Sequence, residues 1–248
     1  MEIIRVRGLS VGYGETPVLE NLDFDILSGR VTVIVGESGS GKSTLLKTLI
    51  GLLPPLAGAV VLDGRPIDFN SEEDLRNLYA RIGVLFQNSA LLNSLSLYEN
   101  IALPLRIHRP DQAPAEEAKR VAEMLGRVGL QGSENKFPYE LSGGMRKRAA
   151  VARAMVLDPE IFFCDEPSAG LDPITATGLD SLLKGLCRAH GMTFVVVTHE
   201  LRSIERIADR ILLLRDGGVR FHGGPGDLDK TKDPYVKAFF LRTANHDH

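Results

Sequence analysis

Tryptophan is absent from these 248 residues, and aromatic side chains make up only 6% of them. Aliphatic residues must therefore supply most of the core. Cysteine is almost as scarce. Cys164 and Cys187 are too few for a disulfide framework and form no CxxC pair, so both are expected as buried, reduced thiols. No apolar run approaches the roughly 18 residues that cross a bilayer, and Met1-Glu2-Ile3-Ile4-Arg5 turns polar too soon for a signal peptide. A cytosolic chain is the expectation. Positive charge is not in excess either: 29 Lys and Arg against 32 Asp and Glu leave a formal charge of −3. That balance removes the bulk basic footprint of a nucleic-acid binder.

A hydrophobic fraction of 44% suits one large α/β domain or a domain with a sizeable insertion. Period-two alternation through Ile4, Val6, Leu22, Phe24 and Ile26 predicts antiparallel strands within residues 1–30. Nearly unbroken β-branched and apolar runs at 31–35, 82–86, 161–164 and 193–197 predict buried, largely parallel strands covered by helices. Between Gln87 and Leu141 such runs disappear, and prolines punctuate stretches of helical spacing, which predicts an inserted helical subdomain. A hairpin is expected around Asp216-Gly217-Gly218, and a short helix after Asp233-Pro234.

Gly36 to Ser43 fits GxxxxGK[ST] between a predicted strand and a predicted helix. Backbone N–H groups of such a loop converge on phosphate, the helix N-terminus favours negative charge, Lys42 reaches the β and γ phosphates, and Ser43 ligates Mg²⁺. Ser38, Gly39, Ser40, Gly41, Lys42, Ser43 and Thr44 are the candidate ATP-binding residues. Strand 161–164 runs into Asp165-Glu166, two carboxylates at the end of a buried strand. Asp165 is assigned to the metal and Glu166 to activating the attacking water, because phosphoryl transfer rests on positioning and charge stabilisation. Leu141-Ser142-Gly143-Gly144-Met145 opens a helical stretch and offers a second helix N-terminus able to cradle an anion. The run Arg146-Lys147-Arg148 is read as a solvated helix face.

These motifs resemble the nucleotide-binding subunits of ABC transporters, whose LSGGQ signature precedes a basic, Ala-rich helix, here residues 146–154. Met145 stands where that family usually has Gln. The resemblance implies a P-loop ATPase fold with an antiparallel β subdomain and an inserted α-helical subdomain. The core would span 1–87 and 160–232, the helical signature subdomain 88–159, and a C-terminal extension 233–248. It implies ATP and Mg²⁺ as cofactors and a head-to-tail homodimer, with Ser142, Gly143, Gly144 and Asp172 acting on the partner's nucleotide. It further implies adenine stacking for Tyr13, contact with metal and membrane partner for Gln87, and a γ-phosphate role for His199. Ser43, Gln87 and Asp165 would hold the metal; Glu166 and His199 would be catalytic. Residues 86–92, 99–105, 143–145, 170–176 and 233–236 also resemble the ATPase of MCE-linked, Mla-type phospholipid transporters. That implies a permease docked near Gln87 and the 88–105 segment, a periplasmic MCE protein, a possible small cytosolic regulator, and a place on the cytoplasmic face of the bacterial inner membrane. Amino-acid importers carry overlapping patterns. A soluble translation or repair ATPase would bring a second cassette or long coiled coils, and a metabolic kinase has no use for a second cradle. The aromatics Tyr235, Phe239 and Phe240 are expected to pack on their own or a neighbouring subunit, and the polar Thr243 to His248 to be disordered rather than a metal site.

Overall fold

The computed structural model describes residues 1–241, so the reading of Thr243 to His248 falls outside the described residues. Strands β1 (Glu2–Tyr13) and β2 (Thr16–Leu27) form a long antiparallel hairpin. Together with β4 (Ala57–Leu62) and β5 (Arg65–Pro66) they make a four-stranded sheet in the order β2-β1-β4-β5. A second sheet contains β3 (Val31–Val35), β6 (Ile82–Leu85), β7 (Ile161–Asp165), β8 (Thr193–Val197), β9 (Arg210–Arg215) and β10 (Gly218–Gly223). Its order is β10-β9-β3-β8-β7-β6, parallel except for the hairpin of β9 and β10.

Side-chain alternation along the parallel strands builds two cores. Phe162, Cys164, Phe194, Val196, Ile211 and Leu213 face one, while Ile161, Phe163, Val195, Val197, Leu212 and Leu214 face the other. Burial on both faces is why these strands read as unbroken apolar runs. Against the first face lie α5 (Gly143–Met155), α6 (Pro173–His190) and α7 (Leu201–Ile207), with α3 (Leu97–His108) and α4 (Pro114–Arg127) in the same core. Against the second lie α1 (Lys42–Leu49) and the antiparallel sheet. Phe162 and Phe194 are fully buried with ring centroids 5.2 Å apart. Each such ring contributes roughly 1.5–3 kcal/mol of burial free energy.

Both cysteines are buried, and burial pushes the thiols of Cys164 and Cys187 up, which keeps them protonated. Helix α2 (Glu72–Arg81) is capped by Ser71, whose hydroxyl accepts from the Asp74 amide. Helix α3 starts on a reciprocal capping box between Ser96 and Glu99. Just beyond it the fully buried Asn100 donates to the carbonyls of Leu92, Leu95 and Ser96 and accepts from the Leu92 amide, which fixes the loop leading into α3. Among the described residues no helix is long and apolar enough to cross a membrane.

Candidate functional site

Register brings four strand ends to one rim. Ile34 and Asp165 both pair with Val197, and Leu85 pairs with Cys164, so β3, β8, β7 and β6 end side by side. Ligands of open α/β sheets sit at such carboxyl edges. The loop after β3 leads into Lys42 at the start of α1, the turn after β8 carries His199, β7 ends at Asp165 with Glu166 next in the chain, and Gln87 follows β6.

The loop between β3 and α1 is shaped by glycine. Gly41 caps α1 at φ 91, a left-handed conformation, and a Cβ there would lie 2.7 Å from Leu19 Cγ. Helix α1 has no acidic residue in its first turn, so its N-terminal N–H groups meet no competing carboxylate from that turn. Lys42 is buried, and its ammonium donates to the carbonyls of Gly36 and Glu37, both at 2.8 Å. Burial lowers its pKa, while the charges of Glu166 and Asp165 oppose that shift.

Asp165 is pushed above the usual carboxylate range by burial first and by the neighbouring Glu166 charge second, with Lys147, Lys47 and Lys42 pulling the other way. Glu166 takes φ 47, a left-handed conformation uncommon for a long side chain. Its amide donates to the Val197 carbonyl at 2.9 Å, which ties the turn to β8. One carboxylate oxygen, Oε1, lies 2.8 Å from His199 Nδ1. An ionised carboxylate only accepts, so this contact selects the tautomer in which Nδ1 donates and Nε2 faces another partner. The ring is 66% exposed.

Asp165 Oδ1, Glu166 Oε2 and Ser40 Oγ are buried without a hydrogen-bond partner. Two acceptor oxygens and a hydroxyl in that condition call for a cation and a polar ligand. No group of three or more His, Cys, Asp or Glu capable of holding a metal occurs among the described residues. A hard cation held by one carboxylate and substrate phosphates needs no such group, so the donor set of Asp165, the Ser43 hydroxyl and the Gln87 amide fits Mg²⁺.

Tyr13 ends β1 and is 52% exposed. Lys47 Nζ donates to its hydroxyl at 3.2 Å and lies 5.7 Å from the ring centroid, so Lys47 first and Thr44 second lower the phenol's pKa. Tyr13 therefore stands over α1 with an open aromatic face. The helix start at Ser142 is capped by its own side chain. Ser142 Oγ accepts from the Met145 amide at 3.3 Å, and the first turn of α5 carries no acid. Gly144 is there for packing, because a Cβ would lie 2.3 Å from Thr175 Cγ2 of α6. Asp172 caps α6, accepting from the amides of Ile174 and Thr175, and hydrogen bonds from Thr175 hold its carboxyl low. Ile174 beside it is 85% exposed.

The cationic run at 146–148 is not the solvated face its composition suggested. Only Arg146 is exposed. Lys147 is buried and donates to the carbonyls of Gln87 at 2.6 Å and Glu166 at 3.3 Å, and Arg148 donates to those of Val128 and Gly178. Helical spacing held the clue: Lys147 lies three after Gly144, three before Ala150 and four before Val151, all buried. The same signal marks Asp180, which shares the apolar stripe of Ala176, Leu179 and Leu183. Fully buried, Asp180 accepts from Ser168, Ser203 and Arg206 and so joins the segment after Glu166 to α7. Finally, α8 (Pro234–Leu241) packs on the chain's own core through Val236, Tyr235, Phe239 and Phe240. The Tyr235 hydroxyl donates to Glu37 of the phosphate loop, and Arg215 lies 3.4 Å over its ring.

Known proteins resemble this chain closely. The ABC transporter family matches residues 19–169. A probable ribonucleotide transport ATP-binding protein, mkl of Mycobacterium leprae, is 43% identical over 95% of this chain and 68% of its own length, so the chain spans about two thirds of that relative. The intermembrane phospholipid transport system ATP-binding protein MlaF of Escherichia coli is 37% identical over 96% of this chain and 88% of its own, and the methionine import ATP-binding protein MetN of Clostridium tetani is 38% identical over 91% and 70%. Among solved structures, cbiO1 of Clostridium perfringens, part of a cbiONQ transporter complex, aligns with TM-score 0.86 at 30% identity over 96% of this chain and 94% of its own. The cassette MJ0796, dimeric and bound to ADP and Pi, aligns with TM-score 0.80 at 33% identity over 90% and 98%. A phosphate loop, a carboxylate pair and a histidine on one sheet edge, in a chain so matched, identify it as a member of the ABC transporter family: the ATP-binding, ATP-hydrolysing subunit.

Proposed function

We propose that two copies of this chain join head to tail, and that the pair drives a permease moving phospholipid with a periplasmic MCE protein at the cytoplasmic face of a bacterial inner membrane. Each copy holds ATP on residues 38–44 with Tyr13 against the base. Each closes its partner's site with Ser142, Gly143, Gly144 and Asp172. The observation that carries this reading is an acid-free, glycine-flanked second helix start on a chain with a single phosphate loop. The dimeric state of the ADP-bound relative supports the pairing, and the likeness to MlaF together with Gly143-Gly144-Met145 supports the lipid cargo.

Chemistry is divided among the residues of the rim. Lys42 exchanges the neutral Gly36 and Glu37 carbonyls for anionic phosphate oxygens, a gain because both partners are then charged. Ser43, Gln87 and Asp165 would hold Mg²⁺, which would supply neutralisation of phosphate charge. Glu166 accepts a proton from water as its oxygen bonds to the γ phosphorus and the bond to ADP breaks. His199, anchored through Nδ1, turns Nε2 to the γ phosphate. Residues 88–159 act as the signature subdomain, 1–87 with 160–232 as the core and 233–248 as an extension. The permease seats on the cleft of about 340 Å³ lined by Asn88, Leu91, Tyr139 and Arg146, beside the exposed Leu92.

The comparable identity to a methionine importer favours a second reading, an importer of a small solute. Purification of the tagged full-length chain from its own membranes separates the two. A permease with an MCE protein supports phospholipid transport; a permease with a solute-binding protein transfers the chain to the importers; recovery with ribosomes or DNA rejects both.

A further inference from the structure

Seven non-glycine residues among those described adopt positive φ. Asn21, Asp63, Asp158 and Asp216 are of the types that tolerate it, being Asn or Asp. The remaining three are Ser89 at φ 63, Ala90 at φ 50 and Glu166 at φ 47. They occupy two segments only: the loop after Gln87 and the turn that carries the carboxylate pair. Backbone held in this region is strained and persists where its surroundings over-determine it.

Helix α5 supplies that over-determination. Arg153 donates to the carbonyls of Ala90 at 2.6 Å and Ser89 at 3.0 Å. Two turns earlier Lys147, 5% exposed, donates to the carbonyls of Gln87 at 2.6 Å and Glu166 at 3.3 Å. All three strained residues thus accept from a cation on the helix that opens with Ser142-Gly143-Gly144, and Lys147 alone reaches both segments. A buried ammonium engaged with two carbonyls holds both against it, because releasing either leaves a charge without that acceptor in a low-dielectric site.

We infer that Lys147 is a positioning residue for hydrolysis: it yokes the signature helix to Gln87 and to Glu166, so that the second anion cradle, the metal-side loop and the water-activating carboxylate move as one body. Arg153 keeps the loop end of the yoke in register. This inference rests on the roles given above to Gln87 and Glu166. Its physical content is that a shift of the signature helix on engaging a partner's nucleotide displaces the Glu166 turn directly, through one side chain.

The test uses the full-length chain and four variants. Lys147→Met keeps the stem and deletes the donors, Lys147→Arg keeps a cation, Arg153→Met releases only the loop, and Glu166→Gln is the control. Steady-state phosphate release gives kcat and KM for ATP, and amide exchange reports segments 86–91 and 165–170. Lys147→Met should lower kcat by about 10- to 100-fold, the cost of a misplaced group, with KM within about threefold of wild type. Exchange should quicken in both segments. Lys147→Arg should recover most of the turnover, and Arg153→Met should loosen 86–91 alone. Wild-type kcat in Lys147→Met overturns the inference. So does loss of kcat, KM and melting temperature together without rescue by arginine, which marks a merely structural lysine. Wild-type turnover in Glu166→Gln would instead remove the role of Glu166 and leave the exchange data to judge the yoke.

Discussion

Replacing Glu166 by glutamine changes one atom and asks one question. The side chain keeps its length and its Oε1 acceptor, so the contact with His199 Nδ1 at 2.8 Å survives. What goes is the ability to accept a proton from water. A positioned base is worth roughly 10² to 10⁴ in rate, or about 2.7–5.4 kcal/mol of barrier at 1.36 kcal/mol per decade. Binding should be spared, because Lys42 and the N-terminal turn of α1 are the groups proposed to contact phosphate, and their contacts do not involve the altered atom. Stability should hold or rise. The wild-type carboxylate has a buried oxygen without a partner, and its charge helps to push the Asp165 carboxyl up; the amide removes the repulsion. Turnover is followed by phosphate release at saturating ATP and Mg²⁺, affinity by a fluorescent ATP analogue, and folding by thermal melting. Turnover within about threefold of wild type would refute the assignment, since a lost general base cannot cost under a decade. Loss of affinity in parallel with turnover would move Glu166 from chemistry to binding.

Lys42→Ala should weaken nucleotide binding or turnover at least tenfold, since it deletes charge-assisted bonds worth roughly 1.5–3 kcal/mol each; fluorescent-nucleotide titration with phosphate release measures both. Gly144→Ala drives a Cβ to 2.3 Å from Thr175 Cγ2, an overpacking cost of about 1–3 kcal/mol. At about 2–4 °C per kcal/mol for a chain this size, the melting temperature should fall visibly, and Gly144→Ala with Thr175→Ser, which lacks the clashing methyl, should regain it. Asp209 links β3 to α6, accepting from the Val31 amide at 2.9 Å and Lys184 Nζ at 2.7 Å. Burial pushes this carboxyl up, but Lys184 and Val31 outweigh it and hold it below its ordinary value. A depressed folded-state value means stabilisation that is complete above the unfolded pKa of about 4 and drains away as pH falls through the folded one. Asp209→Asn should therefore cost stability at neutral pH and narrow its gap to wild type below about pH 4, as read by urea unfolding across pH.

Motifs that act through local backbone were legible. Gly36 to Ser43 reads as a phosphate loop because its glycines and its lysine lie within eight consecutive positions, and the α/β fold follows from four apolar runs buried on both faces. Contacts set by partners far along the chain were not. Lys147 sits in a run of three cations, and composition alone makes such a run look solvated; its acceptors lie 60 and 19 residues away. A stricter test of helical phase would have caught both Lys147 and Asp180, each on the apolar stripe of its helix. Residues 57–81 resist reading for a related reason: β4 is fully buried only at Val60, so it shows no apolar run, and its partners on β1 lie tens of positions away. The Tyr235–Glu37 contact crosses 198 residues and leaves no local trace.

Strand order is the one non-local fact on which the whole rim depends. Along the chain the reactive groups come as Lys42, Gln87, Asp165-Glu166, His199, separated by gaps of tens of residues. In the sheet they become Lys42, His199, Asp165-Glu166, Gln87, because the parallel strands lie β3-β8-β7-β6. Inserting β8 between β3 and β7 sets His199 beside Glu166, near enough for a 2.8 Å contact, and anchors the strained Glu166 turn by its amide to Val197. With β7 against β3 instead, the same motifs would persist in the sequence while His199 lost its carboxylate and Glu166 the backbone bond that holds its conformation. Right-handed crossovers and burial on both faces permit more than one such order. In the order observed, Phe162 and Phe194 are register partners whose rings pack across the β7–β8 pair and so stabilise that neighbourhood. The geometry of the rim is therefore supported in part by residues to which no chemistry is assigned.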